Sequence, residues 1–457
     1  MPAKTKTVYV CAGCGAESAK WIGRCPQCGE WNTYQEEHIV VDKKGVPPLA
    51  PAGLITEVKP VPLSAVEGRD VVRLSTANVE LDRVLGGGIV PGALILIGGE
   101  PGIGKSTLVL QMAMQLPKRV LYVSGEESIQ QIKLRADRIS RASSENCMVV
   151  SDTRIDVLQQ HIDNTRPEIV VVDSIQTMQT ERTDSLPGSI SQIKECTAVL
   201  MRLAKTLNIP IILIGHINKD GQLAGPKVLE HMVDVVLQFE GDRNHLYRIL
   251  RSIKNRFGST NEIGIFEMMG DGLREVANPS EMLLGNYAAD LSGVAIAAAM
   301  EGARPFLIET QALVSTAAYG TPQRSAMGFD VRRMNMLLAV LEKRAGFKLN
   351  AKDVFLNMAG GLRVSEPACD LAVVCAVLSS NFDYPVPPDV CFAAEVGLSG
   401  EIRPVAQTDR RVMEASRLGF KKIFISSWST LEPRSLQSGV EIVKVGDIPA
   451  FVKALFR

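Results

Sequence analysis

The sequence predicts an α/β protein of two or three domains, and three observations lead there. From residue 71 onward, apolar runs of strand length alternate with helical stretches, the pattern of a mostly parallel sheet wrapped by helices. One of these runs, residues 93–97, passes through a glycine-rich loop straight into an amphipathic helix. In front stand four cysteines in two close pairs, on a segment too short to build a core alone. At 457 residues the chain has ample length for a large interior. Lys plus Arg and Asp plus Glu both count 50, so any basic surface must be local. No apolar run reaches the ~18 residues of a membrane helix, and the start MPAKTKTVYVCAGCG lacks the apolar stretch of a signal peptide. The expectation is a soluble, cytoplasmic chain with no membrane partner.

Cys11 and Cys14, then Cys25 and Cys28, give two C-x-x-C pairs, each followed by a glycine (Gly15, Gly29). Two such knuckles can present four thiolates to one tetrahedral Zn²⁺, which would hold the module folded. Structural disulfides need an oxidising compartment, which nothing here indicates, and a redox pair would not need a second copy. Trp21 and Trp31 either cover the metal or stand exposed, free to stack on a base or a partner. The module is assigned residues 1–35, and the proline-rich residues 36–67 read as a linker.

Residues 68–277 hold the chemistry. Gly99, Gly104, Lys105 and Ser106 fit G-x-x-x-x-G-K-[ST], the P-loop, so Gly99, Glu100, Pro101, Gly102, Ile103, Gly104, Lys105, Ser106 and Thr107 form a nucleotide cradle. Backbone N–H groups and a helix N-terminus face the phosphates, Lys105 reaches the β- and γ-phosphates, and Ser106 ligates Mg²⁺. The strand at 119–124 runs into Glu126 and Glu127. A carboxylate at a strand's carboxyl end can polarise water as general base, and Glu126 is favoured over Glu127; the plainer alternative is two acids opening a helix. The apolar run 169–172 delivers Asp173 to the Mg²⁺ shell, with Ser174 beside it. The strand 209–215 ends at His216, placed to sense γ-phosphate and pass the signal to the glycine-rich loop of Asn218, Lys219, Gly225 and Lys227. Two strands of a meander follow, at 231–242 and 246–258, the second carrying Lys254 and Arg256.

GEPGIGKST, SGEES, VVVDS and above all SIKNRFGST (residues 252–260) resemble the bacterial DNA-repair ATPase family RadA, also called Sms. The resemblance runs through the whole chain. It implies a zinc finger in front, a RecA-like P-loop ATPase core, and a Lon-protease-like α/β domain over residues 278–457. It further implies ATP, Mg²⁺ and Zn²⁺ as cofactors and a homo-oligomer, a hexameric ring, translocating on single-stranded DNA. Its task would be branch migration on branched recombination intermediates alongside the RecA recombinase. By the same resemblance Lys254 and Arg256 act at a neighbouring subunit's γ-phosphate. A competing reading keeps the nucleotide but drops the motor: an ATP-regulated assembly or scaffold acting on a repair partner.

Beyond residue 278 the composition shifts toward Ala, Val and Leu, with strand-like runs at 294–300, 306–314, 393–398, 423–425 and 440–445 and helices at 333–343, 368–379 and 409–418. The Lon-type fold implies a serine nucleophile and a lysine base, which fall at Ala368 and Asp409. Neither side chain can do that work, and nearby Ser365 has no evident base, so the expectation is an inactive protease. Arg324, Arg332, Arg333, Lys343, Arg344, Lys348 and Lys352 make a locally basic segment, either a DNA-facing patch or an ordinary solvated surface.

Overall fold

Pairing begins at the N-terminus, where β1 (Thr5–Cys11) takes β2 (Glu17–Ser18) on one side and β3 (Tyr34–Val40) on the other, all antiparallel. The structure is a computed structural model that describes residues 5–13, 15–40, 62, 72–140, 145–183, 185–216, 228–241, 247–278, 280, 283–284, 291–317, 321–359, 364 and 366–456. Cys14, Ser365, the loop with Lys219 and Lys227, and most of the expected linker lie outside the described residues. The register Thr5↔Val40 carries the ribbon past residue 35, into the stretch read as linker. The reason is local: the backbone groups at the start of β1 find their partners there. Val8 and Val10 pack against Ile190.

The chain divides into two compact units, residues 1–276 and 277–457. In the first, a nine-stranded sheet is built from β4 (Leu94–Gly99), β5 (Val120–Ser124), β6 (Cys147–Ser151), β7 (Ile169–Asp173), β8 (Ile211–His216), β9 (Val235–Glu240), β10 (Tyr247–Asn255), β11 (Ile263–Met269) and β12 (Gly272–Glu275). Their order is β12-β11-β10-β9-β4-β8-β7-β5-β6. Pairing is parallel from β9 to β6 and antiparallel across β9, β10, β11 and β12. The strands β4, β5 and β7 are buried throughout, because both faces are covered. Ile97, Tyr122, Val171 and Ile214 meet Leu108 and Met112 of the helix Lys105–Gln115. On the other face Leu96, Val123, Val172 and Leu213 meet Ile193 and Leu200 of the helix Ile190–Leu207. The register then does the functional work: Gly99 lies opposite His216, Ile214 opposite Asp173, and Asp173 opposite Ser124. Strand ends far apart in sequence meet along one edge, where open α/β sheets bind ligands.

Residues 231–232, expected as the start of a strand, instead belong to the short helix Val228–Met232, and β9 begins at Val235. The Lys254 ammonium donates to the carbonyls of Glu230 and Val233 at 2.7 and 2.8 Å, which satisfies the end of that helix.

The second unit holds a seven-stranded mixed sheet. Its strands are β13 (Val294–Glu301), β14 (Arg304–Thr316), β15 (Arg324–Met327), β16 (Lys352–Met358) and β17 (Val390–Ala393), followed after the short pair β18 (Glu395–Val396) and β19 (Ile402–Arg403) by β20 (Lys422–Ser426) and β21 (Glu441–Val445). The order is β15-β16-β14-β13-β17-β20-β21. The apolar run 393–398 is thus broken between β17 and β18 rather than forming one strand. The helix Asp370–Phe382 is buried from residue 370 to 379, and Ala295, Ala297 and Ala299 on β13 let it approach closely. Its first residue, Asp370, pairs with Arg333, so one cation of the basic segment is committed inside the fold. Ala368 is buried in the single turn Pro367–Cys369, and the Asp409 carboxylate accepts the Glu432 N–H at 2.8 Å. Among the described residues no helix is long and apolar enough to cross a membrane.

Candidate active site

The loop after β4 owes its shape to contacts that only glycine permits. A Cβ on Gly99 would stand 2.7 Å from the Phe239 carbonyl of neighbouring β9. Gly104 has φ +116°, where a side chain is strained, and its Cβ would meet Met268 at 2.8 Å. The helix that follows opens with Lys105, Ser106 and Thr107 and has no acid in its first turn, so its N–H groups face the loop unopposed. Lys105 is buried. Its Nζ donates to the carbonyls of Gly99 (2.7 Å) and Glu100 (2.9 Å) and lies 3.2 Å from His216 Nδ1. Burial lowers its pKa from 10.5 to about 8, against the opposing pull of Asp173, Glu126 and Glu100. A partly desolvated ammonium held by two loop carbonyls is well placed to exchange them for phosphate.

Asp173 ends β7, buried, and its Oδ2 accepts the Tyr122 hydroxyl at 2.5 Å. Burial, and then the charge and hydrogen bond of Asp173, raise the Tyr122 pKa well above its ordinary value and keep the phenol a donor. Glu126 Oε1 accepts from Ser174 Oγ and lies 3.1 Å from His216 Nε2. The His216 hydrogen bond, then those of Ser174 and the Lys105 charge, draw its pKa down to about 2 despite partial burial. Glu127 points elsewhere, into an ion pair with Arg135 of the helix Ile129–Ile139. That helix is capped by Ser128 and Gln131 in a reciprocal capping box, so neither glutamate is needed as a cap. Lys105, Glu126, Asp173, Ser174 and His216 therefore form one cluster, and His216 bridges its cation and its acid.

Lys254 and Arg256 are not in it. Arg256 pairs with Asp234 at 3.3 Å, and Asp234 also accepts the Leu94 N–H (3.0 Å) and Lys205 Nζ (2.6 Å). Leu94 begins β4 and Gly99 ends it, so these cations sit ~17 Å of strand away from the P-loop of their own chain. Tyr122 escaped the sequence reading; its signal is a phenol inside the otherwise aliphatic run VLYVS, whose buried hydroxyl needs a partner.

In the ribbon, Cys11, Cys25 and Cys28 offer sulfurs that all lie within 4.8 Å of one another. Thiolates on a tetrahedral ion at ~2.3 Å stand ~3.8 Å apart, and Cys11 Sγ and Cys28 Sγ are 3.7 Å apart. These three residues fit Zn²⁺. Trp21 and Trp31 do not cover the sulfurs: they are 52% and 69% exposed, with the Arg24 guanidinium 5.8 Å over the Trp31 ring.

Known proteins match each part. A family model described as an AAA domain matches residues 61–222, the rubredoxin metal binding domain matches residues 9–36, and subunit ChlI of Mg-chelatase matches residues 313–428. The chain is 49% identical over 449 residues to the DNA repair protein RadA of Bacillus subtilis (strain 168), with 98% of each chain covered. It is 51% identical over 426 residues to that of Listeria monocytogenes serovar 1/2a, covering 93% of this chain and 92% of the relative. With the Streptococcus pyogenes serotype M6 protein of the same name the identity is 46% over 457 residues, 99% and 100% covered.

Proposed function

The chain belongs to the RadA family of DNA repair proteins, an ATP-hydrolysing enzyme, and from that premise we propose a DNA-stimulated motor working on single strands. It assembles as a homo-oligomeric ring, hexameric by family resemblance, in the cytoplasm. Its task is branch migration on single-stranded and branched recombination intermediates, alongside the RecA recombinase. The observation that carries the reading is the His216 bridge, because it joins Lys105 and Glu126 at the end of the strand that residues 217–227 follow in sequence. A DNA contact made by those residues would act on both groups at once.

Lys105 exchanges its loop carbonyls for the β- and γ-phosphates. Glu126 orients a water for in-line attack on the γ-phosphorus and takes its proton as the bond to the ADP oxygen breaks. Mg²⁺ bound through Ser106 and Asp173 would screen the phosphate charge. Lys254 and Arg256, remote from their own P-loop, serve the neighbouring protomer's γ-phosphate. Cys11, Cys25 and Cys28, joined by Cys14, would hold Zn²⁺, whose bonds would keep the ribbon folded. With Ala368 and Asp409 where the Lon-like resemblance expects serine and lysine, the C-terminal unit binds or assembles and does not cut peptides. Single-stranded DNA should raise ATP hydrolysis at least tenfold, and Lys105→Ala should abolish it. Equal rates with and without DNA would remove the motor and leave the ATP-regulated scaffold.

A further inference from the structure

Each acid of the cluster is held through a single oxygen. Asp173 Oδ2 takes the Tyr122 hydroxyl, and among the described residues Oδ1 makes no hydrogen bond. Glu126 Oε1 takes both Ser174 Oγ and His216 Nε2, and Oε2 makes none among the described residues. The two hydroxyl donors come from inside the fold: Tyr122 is 1% exposed and Ser174 fully buried. Tyr122 lies opposite Val171 in the β5–β7 pairing, two residues before Asp173 and on the same core face, so its hydroxyl reaches the carboxylate from behind. Its ring is fixed by packing against Ile97, Val171 and the helix Lys105–Gln115, which leaves the donor little freedom. A carboxylate turning about its last torsion interchanges its two oxygens, and a rigid donor on one of them selects a single orientation.

We propose that Tyr122 and Ser174 are positioning residues for ATP hydrolysis. Tyr122 fixes Asp173 so that Oδ1 faces the hydrated Mg²⁺, and Ser174 fixes Glu126 so that Oε2 faces the attacking water. This rests on the roles given above to Asp173 and Glu126.

The test uses the full chain and a fluorescent non-hydrolysable ATP analogue, titrated in Mg²⁺ and again in EDTA, with single-turnover hydrolysis measured separately. Tyr122→Phe should cut the Mg²⁺-dependent gain in affinity about tenfold and leave affinity in EDTA within twofold. Ser174→Ala should slow the single turnover about tenfold with both affinities unchanged. Tyr122→Phe added to Asp173→Asn should have no further effect. If Tyr122→Phe weakens binding equally in Mg²⁺ and EDTA, the hydroxyl only supports the fold and the inference is overturned. If Asp173→Asn abolishes the Mg²⁺ gain and Tyr122→Phe does nothing, the inference fails while the role of Asp173 stands. An Asp173→Asn variant with a normal Mg²⁺ gain would instead sink that earlier assignment. A Ser174→Ala variant that turns over at the normal rate removes Ser174 from the proposal.

Discussion

Replacing Lys105 by methionine should make the nucleotide-free protein more stable. The ammonium is buried and its pKa is lowered to about 8, because burial outweighs the charges of Asp173, Glu126 and Glu100. A base with a depressed pKa binds its proton more tightly in the unfolded chain than in the folded one. Stability therefore rises with pH between about 8 and 10.5, and below that window the folded protein carries the whole cost of the buried charge. At ~1.4 kcal/mol per pH unit the cost is about 3 kcal/mol. Methionine has similar length and no charge, but it forfeits the Nζ bonds to Gly99 and Glu100, so about half should be recovered. In a unit of this size ~1 kcal/mol moves the melting midpoint by ~2–4 °C, which predicts a rise of ~3–6 °C. The assay is thermal unfolding of both proteins at pH 7 and pH 10 without nucleotide. Lys105→Met should melt higher at pH 7 and lose most of that advantage at pH 10. A lower midpoint at pH 7, or the same gap at both pH values, would refute the burial cost. The same substitution should abolish nucleotide binding, so the site gives up stability for phosphate affinity.

Three further outcomes separate neighbouring roles. Glu126→Gln should reduce ATP hydrolysis 10²–10⁴-fold with nucleotide binding retained, whereas Glu127→Gln, which loosens only the Arg135 pair, should stay within about threefold; steady-state rates and analogue binding compare them. Arg333→Ala strands the buried Asp370 carboxylate and should cost roughly 3–5 kcal/mol, read as early melting of the C-terminal unit. By contrast, neutralising the exposed Arg332, Lys343 and Arg344 together should leave melting unchanged and weaken DNA binding with a shallower salt dependence. Stripping Zn²⁺ with a chelator, or Cys25→Ser, should unfold the ribbon while residues 72–276 keep binding ATP; hydrogen exchange over residues 5–40 distinguishes this from global unfolding.

The α/β class was legible because β4, β5 and β7 are covered on both faces and so are written as unbroken apolar runs. Strands with one wet face were harder to see. β16 alternates buried Val354, Leu356 and Met358 with Phe355 and Asn357, and both it and β15 went unread. The P-loop is local in sequence, so its spacing alone brings its residues together. Neither the bridge from His216 to Lys105 and Glu126 nor the bond from Tyr122 to Asp173 is local. Both depend on the strand order β4-β8-β7-β5, and no spacing along the chain encodes that order. The divergence of Glu126 and Glu127 is likewise a matter of context, since Arg135 arrives from the following helix.

The far end of β4 has a consequence for how neighbouring subunits would communicate. Lys254 already donates to the carbonyls of Glu230, His231 and Val233, and Arg256 already holds Asp234, which in turn grips the N–H of Leu94. Neither cation is an idle hand waiting for a ligand. For either to reach a phosphate outside its own chain it must let go of something inside it, and what Arg256 releases is Asp234, which holds the root of the strand that carries its own P-loop. In the proposed ring, an Arg256 that clasped the neighbouring protomer's nucleotide would thereby slacken the footing of its own P-loop strand, and neighbouring sites would then compete rather than fill together.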